Sequence, residues 1–147
     1  MKTVWISLKF IYLYLAYWLV GLTEEDLYIT KGNYFADLGK FHSAIFAYKK
    51  ALKESEIPSI YAAIGWCHLS MDEDTKALEY YRKAYEKINR YDVSVTLAFL
   101  EMENGNFEEC RKVFINIKEK RDELPDESLK LYDQVKDYLA KSESENK

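Results

Sequence analysis

The sequence predicts an all-α fold in which antiparallel helix pairs stack into a solenoid. The first indication is composition, because the 147 residues include only five glycines and two prolines, and such a composition favours helices over many-stranded sheets. The second indication is a set of small and aromatic side chains that return every thirty-three residues. A repeat of this length is typical of helical units that bury their apolar faces on one another.

The repeat is clearest in the turn and in the second helix of each unit. Five sets of equivalent positions carry similar side chains: Gly32, Gly65 and Ala98; Gly39, Asp72 and Gly105; Ala44, Ala77 and Cys110; Tyr48, Tyr81 and Phe114; Ala51, Ala84 and Ile117. Small residues let two helices approach closely, and aromatic rings fill the space beside them. The pattern therefore describes packing and carries no chemistry by itself.

The first element is an additional apolar helix predicted within residues 1–22, where only Ser7 and Lys9 interrupt the apolar run of residues 4–22. Such a helix is apolar on every face, unlike the amphipathic helices that follow. Three interpretations remain open: a membrane anchor, a helix packed on the first repeat, and a cleaved signal segment. The anchor predicts a membrane-associated protein with a single amino-terminal tether, whereas the packed helix is compatible with a cytoplasmic protein. We favour the anchor because residues 10–22 carry no charge.

The repeat domain is predicted over residues 23–141. Thr23 is suited to cap the first helix, with Asp26 completing a variant of the capping box, and Gly39 suits the turn that follows that helix. The predicted helices cover residues 24–38, 41–54, 58–71, 75–88, 91–103, 107–120 and 126–140. The last helix is the most polar, which suits a cap whose outer face meets water. Residues 142–147 are charged and are predicted to form a disordered tail.

In the spacing of these residues, the chain resembles the tetratricopeptide repeat (TPR) family. The unit of that family is a helix–turn–helix with small residues at fixed positions and aromatic residues between them. The matching residues are Gly32, Gly39, Phe41, Ala44, Tyr48, Ala51, Gly65, Ala77, Tyr81, Ala84, Ala98, Gly105, Phe107 and Phe114. Cys110 and Ile117 replace the usual alanines, and the period is one residue shorter than that of the family. The resemblance covers residues 25–123 and implies a right-handed superhelix of three repeats with a carboxy-terminal capping helix.

The resemblance also implies a binding site on the concave face, which the first helix of each unit forms. The residues expected to contact a partner are Ile29, Asn33, Asp37, Trp66, Leu69, Phe99, Met102 and Glu103. The apolar members suit a peptide or protein with apolar anchors. The alternative interpretation is that neighbouring helices cover Trp66 and Phe99.

One branch of the family, the chaperone co-factors, holds the terminal carboxylate of a peptide in a clamp of basic and amide side chains. The clamp positions correspond to Ile29, Asn33, Ala63, Asp92 and Thr96, of which only Asn33 is retained. Asp92 would repel a carboxylate where a lysine should attract it. We therefore do not expect the chain to bind the acidic carboxy-terminal tails of chaperones.

Several functional classes find no support in the sequence. The net charge of −4 is spread over interleaved acidic and basic residues, which argues against nucleic acid as a partner. The cysteines and histidines, which are Cys67, Cys110, His42 and His68, lack the spacing of a metal site. No nucleophile or phosphate-binding motif occurs. We expect no catalytic, metal-binding or cofactor-binding residues. The charged runs of residues 101–109 and 118–123 are interpreted as solvated helix faces.

These observations predict a non-catalytic scaffold that binds a protein or peptide on the concave face of its repeats. In the favoured form, residues 4–22 tether the scaffold to a membrane. The alternative is a soluble co-chaperone, assembly adaptor or regulatory subunit in which the amino-terminal helix packs on the repeats.

Overall fold

The structure is a computed structural model and describes residues 11, 12, 14, 15, 18, 19, 21 and 23–145. Within residues 23–145 the chain forms seven α-helices and no strand, which confirms the all-α prediction. The helices are α1 (Glu24–Asp37), α2 (Phe41–Glu54), α3 (Pro58–Leu69), α4 (Asp74–Tyr85), α5 (Tyr91–Glu103), α6 (Phe107–Ile115) and α7 (Asp126–Glu145), with a 3₁₀ helix (Arg121–Glu123) before α7. The strongest contacts are those of α1 with α2, α3 with α4, and α5 with α6, as expected for helix pairs. The right-handed superhelix stays a prediction.

The predicted amino-terminal helix of residues 4–22 lies largely outside the described residues. Of the residues that are described there, Ile11, Tyr12, Leu15, Trp18 and Leu19 are helical and expose more than half of their surface. No helix in the described part of the chain is both long enough and apolar enough to cross a membrane. The anchor therefore stays a prediction.

The first helix begins at the predicted cap. The Thr23 hydroxyl accepts a hydrogen bond from the Asp26 amide, and the Asp26 carboxylate accepts one of 3.0 Å from the Thr23 amide. Two otherwise unpaired amides at the start of α1 are thus satisfied, as in a capping box. The hydrogen bonds from Thr23 also hold the pKa of Asp26 below its ordinary value.

The turns inside the three helix pairs share one backbone conformation. The φ angles of Gly39, Asp72 and Gly105 are 68°, 57° and 72°. In each pair the following amide donates to a carbonyl near the end of the preceding helix; that of Lys40, for example, donates to Phe35 at 2.8 Å. Glycine adopts this left-handed region freely, whereas a residue with a Cβ atom is strained there. Asp72 therefore fills the glycine position of its repeat at a cost in stability.

We expect substitutions at these turns to separate the glycines from the aspartate. Gly39→Val and Gly105→Val should each lower the free energy of unfolding by about 1–2 kcal/mol, because valine is poorly tolerated at positive φ. Asp72→Val should cost less, because Asp72 already bears part of that strain, and Asp72→Gly should be stabilising. Urea unfolding measures all four variants. Equal losses for the three valine variants would contradict this account.

Two buried glycines set the distance between the helices of the first two pairs. A methyl group on Gly32 would overlap the Tyr48 ring, and one on Gly65 would lie 2.8 Å from Cδ2 of Tyr81. Both rings are almost fully buried, and the hydroxyl of Tyr48 donates a 2.7 Å hydrogen bond to Oδ1 of Asn33. The rings therefore lack room to retreat, which confirms the packing predicted from the repeat.

The variant Gly32→Ala should lose about 1–3 kcal/mol of stability through overpacking, although alanine is the better helix former by about 1 kcal/mol. The matched control is the same change in a Tyr48→Leu background, where the ring is gone. There the alanine should be neutral or stabilising, so the double-mutant cycle should show a strong coupling. Additive effects would mean that Tyr48 is not the obstacle.

The helix α6 ends at Ile115, five residues before the predicted end. The amides of Ile117 and Lys120 donate to carbonyls three residues earlier, so the chain leaves the α-helical pattern and tightens into turns. This path buries Ile117 and Leu124. Their burial favours the early end of α6, because a continued helix would carry the chain away from α7.

The helix α7 covers the end of the solenoid, as predicted for a cap. It packs on α5 and α6 through its buried side chains Tyr132, Val135 and Leu139. The Tyr132 ring lies 5.0 Å from that of Phe114. The prediction of a disordered tail from residue 142 is wrong for residues 142–145, because α7 continues to Glu145. In this last part of α7 the hydroxyl of Ser142 donates to the carbonyl of Tyr138, one turn earlier, at 2.9 Å.

Candidate partner-binding surface

The predicted partner-binding residues lie on α1, α3 and α5, the first helices of the three pairs. On α1, Ile29, Asn33 and Asp37 follow one another at four-residue intervals and so share one face. The structure leaves Asn33, Asp37, Trp66 and Glu103 exposed. It places the remaining four residues, which are Ile29, Leu69, Phe99 and Met102, in partly buried positions.

Trp66 is the most exposed apolar residue of this set. Its side chain is 47% exposed, and its ring meets that of Phe41 edge to face at 5.6 Å between centroids. Phe41 begins α2, so this contact joins the second helix pair to the first. The indole is thus held in one orientation while half of its surface faces solvent. A fixed and half-exposed aromatic ring is a common energetic centre of protein interfaces.

The other apolar members of the set pack against the protein itself. Leu69, Phe99 and Met102 border the core formed by α4 to α7, and Ile29 borders the core formed by α1 to α3. These residues therefore contribute partial surfaces around Trp66 rather than freely exposed anchors. The exposed polar members Asp37 and Glu103 form no ion pair with a described residue, and they give this surface acidic ends.

The clamp of the chaperone co-factors is not reproduced. Asp92 is bound by Arg90, with Nη2 and Oδ2 at 2.5 Å, and it remains a carboxylate where the clamp needs a cation. The amide oxygen Oδ1 of Asn33 accepts a hydrogen bond of 2.7 Å from the Tyr48 hydroxyl. Burial raises the pKa of Tyr48 to about 12, so its hydroxyl stays protonated and remains a donor.

Glu101 is a buried charged residue within the run of residues 101–109, which is predicted to be solvated. Glu101 is 2% exposed, so the interpretation of residues 101–109 as a solvated face is wrong at this residue. The Arg82 guanidinium donates to both carboxylate oxygens of Glu101 at 2.6 and 2.7 Å, and Asn106 donates to one of them at 2.8 Å. The hydrogen bond to Glu101 raises the pKa of Arg82 above its ordinary value. Because Arg82 lies on α4 and Glu101 on α5, this pair joins the second and third helix pairs.

A second surface lies on the first helix pair and was not predicted from the sequence. It is an open groove of about 570 Å³ between α1 and α2, lined by Tyr14, Tyr28, Lys31, Phe35, His42, Ser43, Phe46 and Ala47. Tyr28, Lys31 and Phe35 share a face of α1 that differs from the face of Asn33. The exposed Phe46, an aromatic residue on the solvent side of an amphipathic helix, is the sequence signal for this groove.

The two cysteines and one of the two histidines are buried inside the protein. Cys67 and Cys110 are free and fully buried. His68 is buried, with Nδ1 at 2.6 Å from Oε2 of Glu73, and its ring stacks on Tyr80; His42 is exposed. In the part of the chain that the structure describes, no three metal-ligating side chains come together.

The two thiols should be inert in the folded protein. Burial raises the pKa of both Cys67 and Cys110 to about 11, so at pH 7 only about one thiol in ten thousand is the reactive thiolate in the folded protein. We expect a thiol reagent such as iodoacetamide to modify neither residue in native buffer and both in urea. Rapid modification of the native protein would contradict the packing of α3 and α6.

Comparison with known families identifies the repeats. A tetratricopeptide repeat model matches residues 25–57 and 58–87, which are the first two helix pairs with the segments that follow them. The first two helix pairs are thus similar to tetratricopeptide repeats. The third pair lies outside the matched residues, but Gly105, Ala98 and Phe114 reproduce there the turn and the packing of the first two pairs. No curated protein matches the chain. TPRs generally mediate protein–protein interaction and typically form non-catalytic scaffolds.

Proposed function

We propose that this protein is a non-catalytic TPR scaffold that binds a partner protein on the face of α1, α3 and α5 around Trp66. The observation that carries the proposal is the half-exposed indole, which Phe41 holds at the junction of the first two repeats. Burial of the exposed half by an apolar side chain of the partner would supply the anchor of the complex.

The charges around Trp66 suggest the character of the partner. Asp37 and Glu103 are exposed and form no ion pair with a described residue. Carboxylates at the rim of an interface favour basic groups on the other side and speed the encounter. We therefore propose a partner segment with an apolar anchor for Trp66 and lysine or arginine near its ends. This choice also agrees with the absence of a clamp for acidic tails.

The test is affinity capture from cells of the source organism with the wild type and with Trp66→Ala. The matched control is Phe46→Ala, which removes an exposed aromatic side chain on α2, away from the proposed face. We expect Trp66→Ala to lose at least one specific protein that both the wild type and Phe46→Ala retain. Identical sets of captured proteins for the wild type and both variants would contradict the proposal.

The proposal includes a membrane tether formed by residues 4–22. Their apolar sequence supports it, as does the exposure of Trp18 and Leu19, which are 81% and 73% exposed. If the segment is an anchor, the protein should remain in the membrane fraction after an alkaline wash. Release into the supernatant would favour the alternative, a soluble adaptor or regulatory subunit. One contact supports that alternative, because Nζ of Lys31 donates to the Tyr14 hydroxyl at 2.9 Å and so brings the segment against α1.

A further inference from the structure

The outer face of α2 combines exposed lysines with an exposed phenylalanine. Lys49 and Lys53 are exposed, and Lys50 is half-buried with its ammonium 5.6 Å from the centre of the Phe46 ring. Phe46 itself is 65% exposed. Residues three, four and seven positions apart lie on one side of a helix, so these four side chains form one surface. We name it the lysine face of α2.

This face carries positive charge that the protein neutralises only in part, because the ammonium of Lys49 interacts electrostatically with Glu79 of α4. Residues 38–53 contain four lysines and a histidine but no acidic residue, although the chain as a whole is acidic. Lys49, Lys50 and Lys53 form no ion pair with a described residue, whereas Lys76, Lys83 and Lys87 on and after α4 each bind a carboxylate. The acidic residues Glu25 and Glu54 of the first pair lie where α1 begins and α2 ends. Glu25 is bound there by Ser55.

The lysine face adjoins the aromatic groove of the first pair and, through it, the apolar amino-terminal segment. Phe46 lines the groove together with Tyr28 of α1 and Tyr14 of the segment. The ammonium of Lys31 lies over the Tyr14 and Tyr28 rings, at 4.6 and 5.3 Å from their centres. Beyond Tyr14 the described residues expose Leu15 and Trp18. Lysine, tyrosine and tryptophan side chains beside an apolar segment are typical of the interface between lipid and water.

We propose that the lysine face of α2 and the adjoining groove bind the surface of a membrane that contains anionic phospholipids. Phe46 and the groove tyrosines would enter the headgroup region, and Lys49, Lys50 and Lys53 would bind lipid phosphates. Each lysine near an anionic surface strengthens binding about 5-fold. This surface differs from the proposed partner face around Trp66. The result of the membrane-binding test is therefore independent of the result of partner capture.

The test places a fluorescent probe on the groove of the full chain in lipid vesicles. Ser43 is exposed and lines the groove, so Ser43→Cys can be labelled while the buried Cys67 and Cys110 stay unmodified. The chain is reconstituted into vesicles of phosphatidylcholine, with or without 30 mol% phosphatidylglycerol, and with a spin-labelled lipid as quencher. The control probe is placed at Glu108→Cys, at an exposed position of α6.

We expect strong quenching of the probe at residue 43 in the vesicles with phosphatidylglycerol, weak quenching without that lipid, and little at residue 108 in either. Changing Lys49, Lys50 and Lys53 together to glutamine should lower the ratio of docked to undocked protein about 100-fold. The charge-matched control changes Lys130, Lys136 and Lys141 of α7 to glutamine and should preserve quenching. The proposal is overturned if phosphatidylglycerol does not change the quenching at residue 43. Equal effects of the two triple variants would overturn it as well, because net charge alone would then explain the binding.

Discussion

A chain that ends at Glu123 is expected to lose its cooperative fold and to aggregate. The missing helix α7 buries Tyr132, Val135 and Leu139 against the third helix pair. Each such side chain contributes about 1.5–3 kcal/mol by burial, so the three together approach the total stability of ~5–15 kcal/mol that is typical of a domain. Without α7, the faces of α5 and α6 that it covers would present an apolar surface to other molecules.

The control for this truncation is a chain that ends at Lys141. It retains the buried residues of α7 and loses only the last polar turn, so its melting temperature should stay within a few degrees of that of the full chain. Light scattering and thermal melting measure both chains, handled in the same detergent. A chain ending at Glu123 that stays monomeric and melts as the parent does would show that α7 is dispensable.

The second large effect is expected at the Arg82–Glu101 pair between the second and third repeats. In Arg82→Met, Glu101 remains buried, with Asn106 as its remaining hydrogen-bond donor. Loss of one partner of a buried pair costs about 3–5 kcal/mol, and we expect about 3 because Arg82 is half-exposed and water can enter in its place. Glu101→Met should cost less, since the guanidinium it frees can reach solvent. The double variant should recover part of the loss.

A neutral isostere of Glu101 separates electrostatics from packing. In Arg82→Met with Glu101→Gln, the uncompensated buried charge is gone while the shape of the side chain is kept, so much of the stability lost in Arg82→Met should return. Urea unfolding measures both variants. An equal loss of stability in Arg82→Met with and without Glu101→Gln would contradict the electrostatic explanation.

The repeat spacing predicts most of the fold because the packing rule is local and periodic. Gly32, Tyr48 and Ala51 return one period later as Gly65, Tyr81 and Ala84, and the structure buries all six. The turn follows from the same register, so even the positive φ of Asp72 can be anticipated from Gly39. Where the period ends, the prediction weakens: the early end of α6 depends on Ile117 and Leu124 contacting other elements, which no local pattern encodes.

The sequence predicts less of the surfaces, because exposure depends on contacts between helices. Trp66 is half-exposed and its contact with a partner stays a prediction, whereas Phe99 and Met102 border a core whose extent depends on α7. The charge of Glu101, taken alone, predicts a solvent-exposed position. Its spacing from Ser94 and Ala98, seven and three residues earlier, places it on the buried stripe of α5 and could have signalled a paired charge. The lysine face of α2 has an analogous signal in the acid-free run of residues 38–53.

Site-specific photo-cross-linking in living cells tests most directly whether a partner protein binds on the face around Trp66. A photoreactive phenylalanine analogue would replace, in separate variants, Trp66 and Asp37 on the proposed face and Glu79 on α4. We expect the same partner to be cross-linked from residues 66 and 37 and not from residue 79. A partner cross-linked from residue 79 alone, or equally from all three, would contradict it.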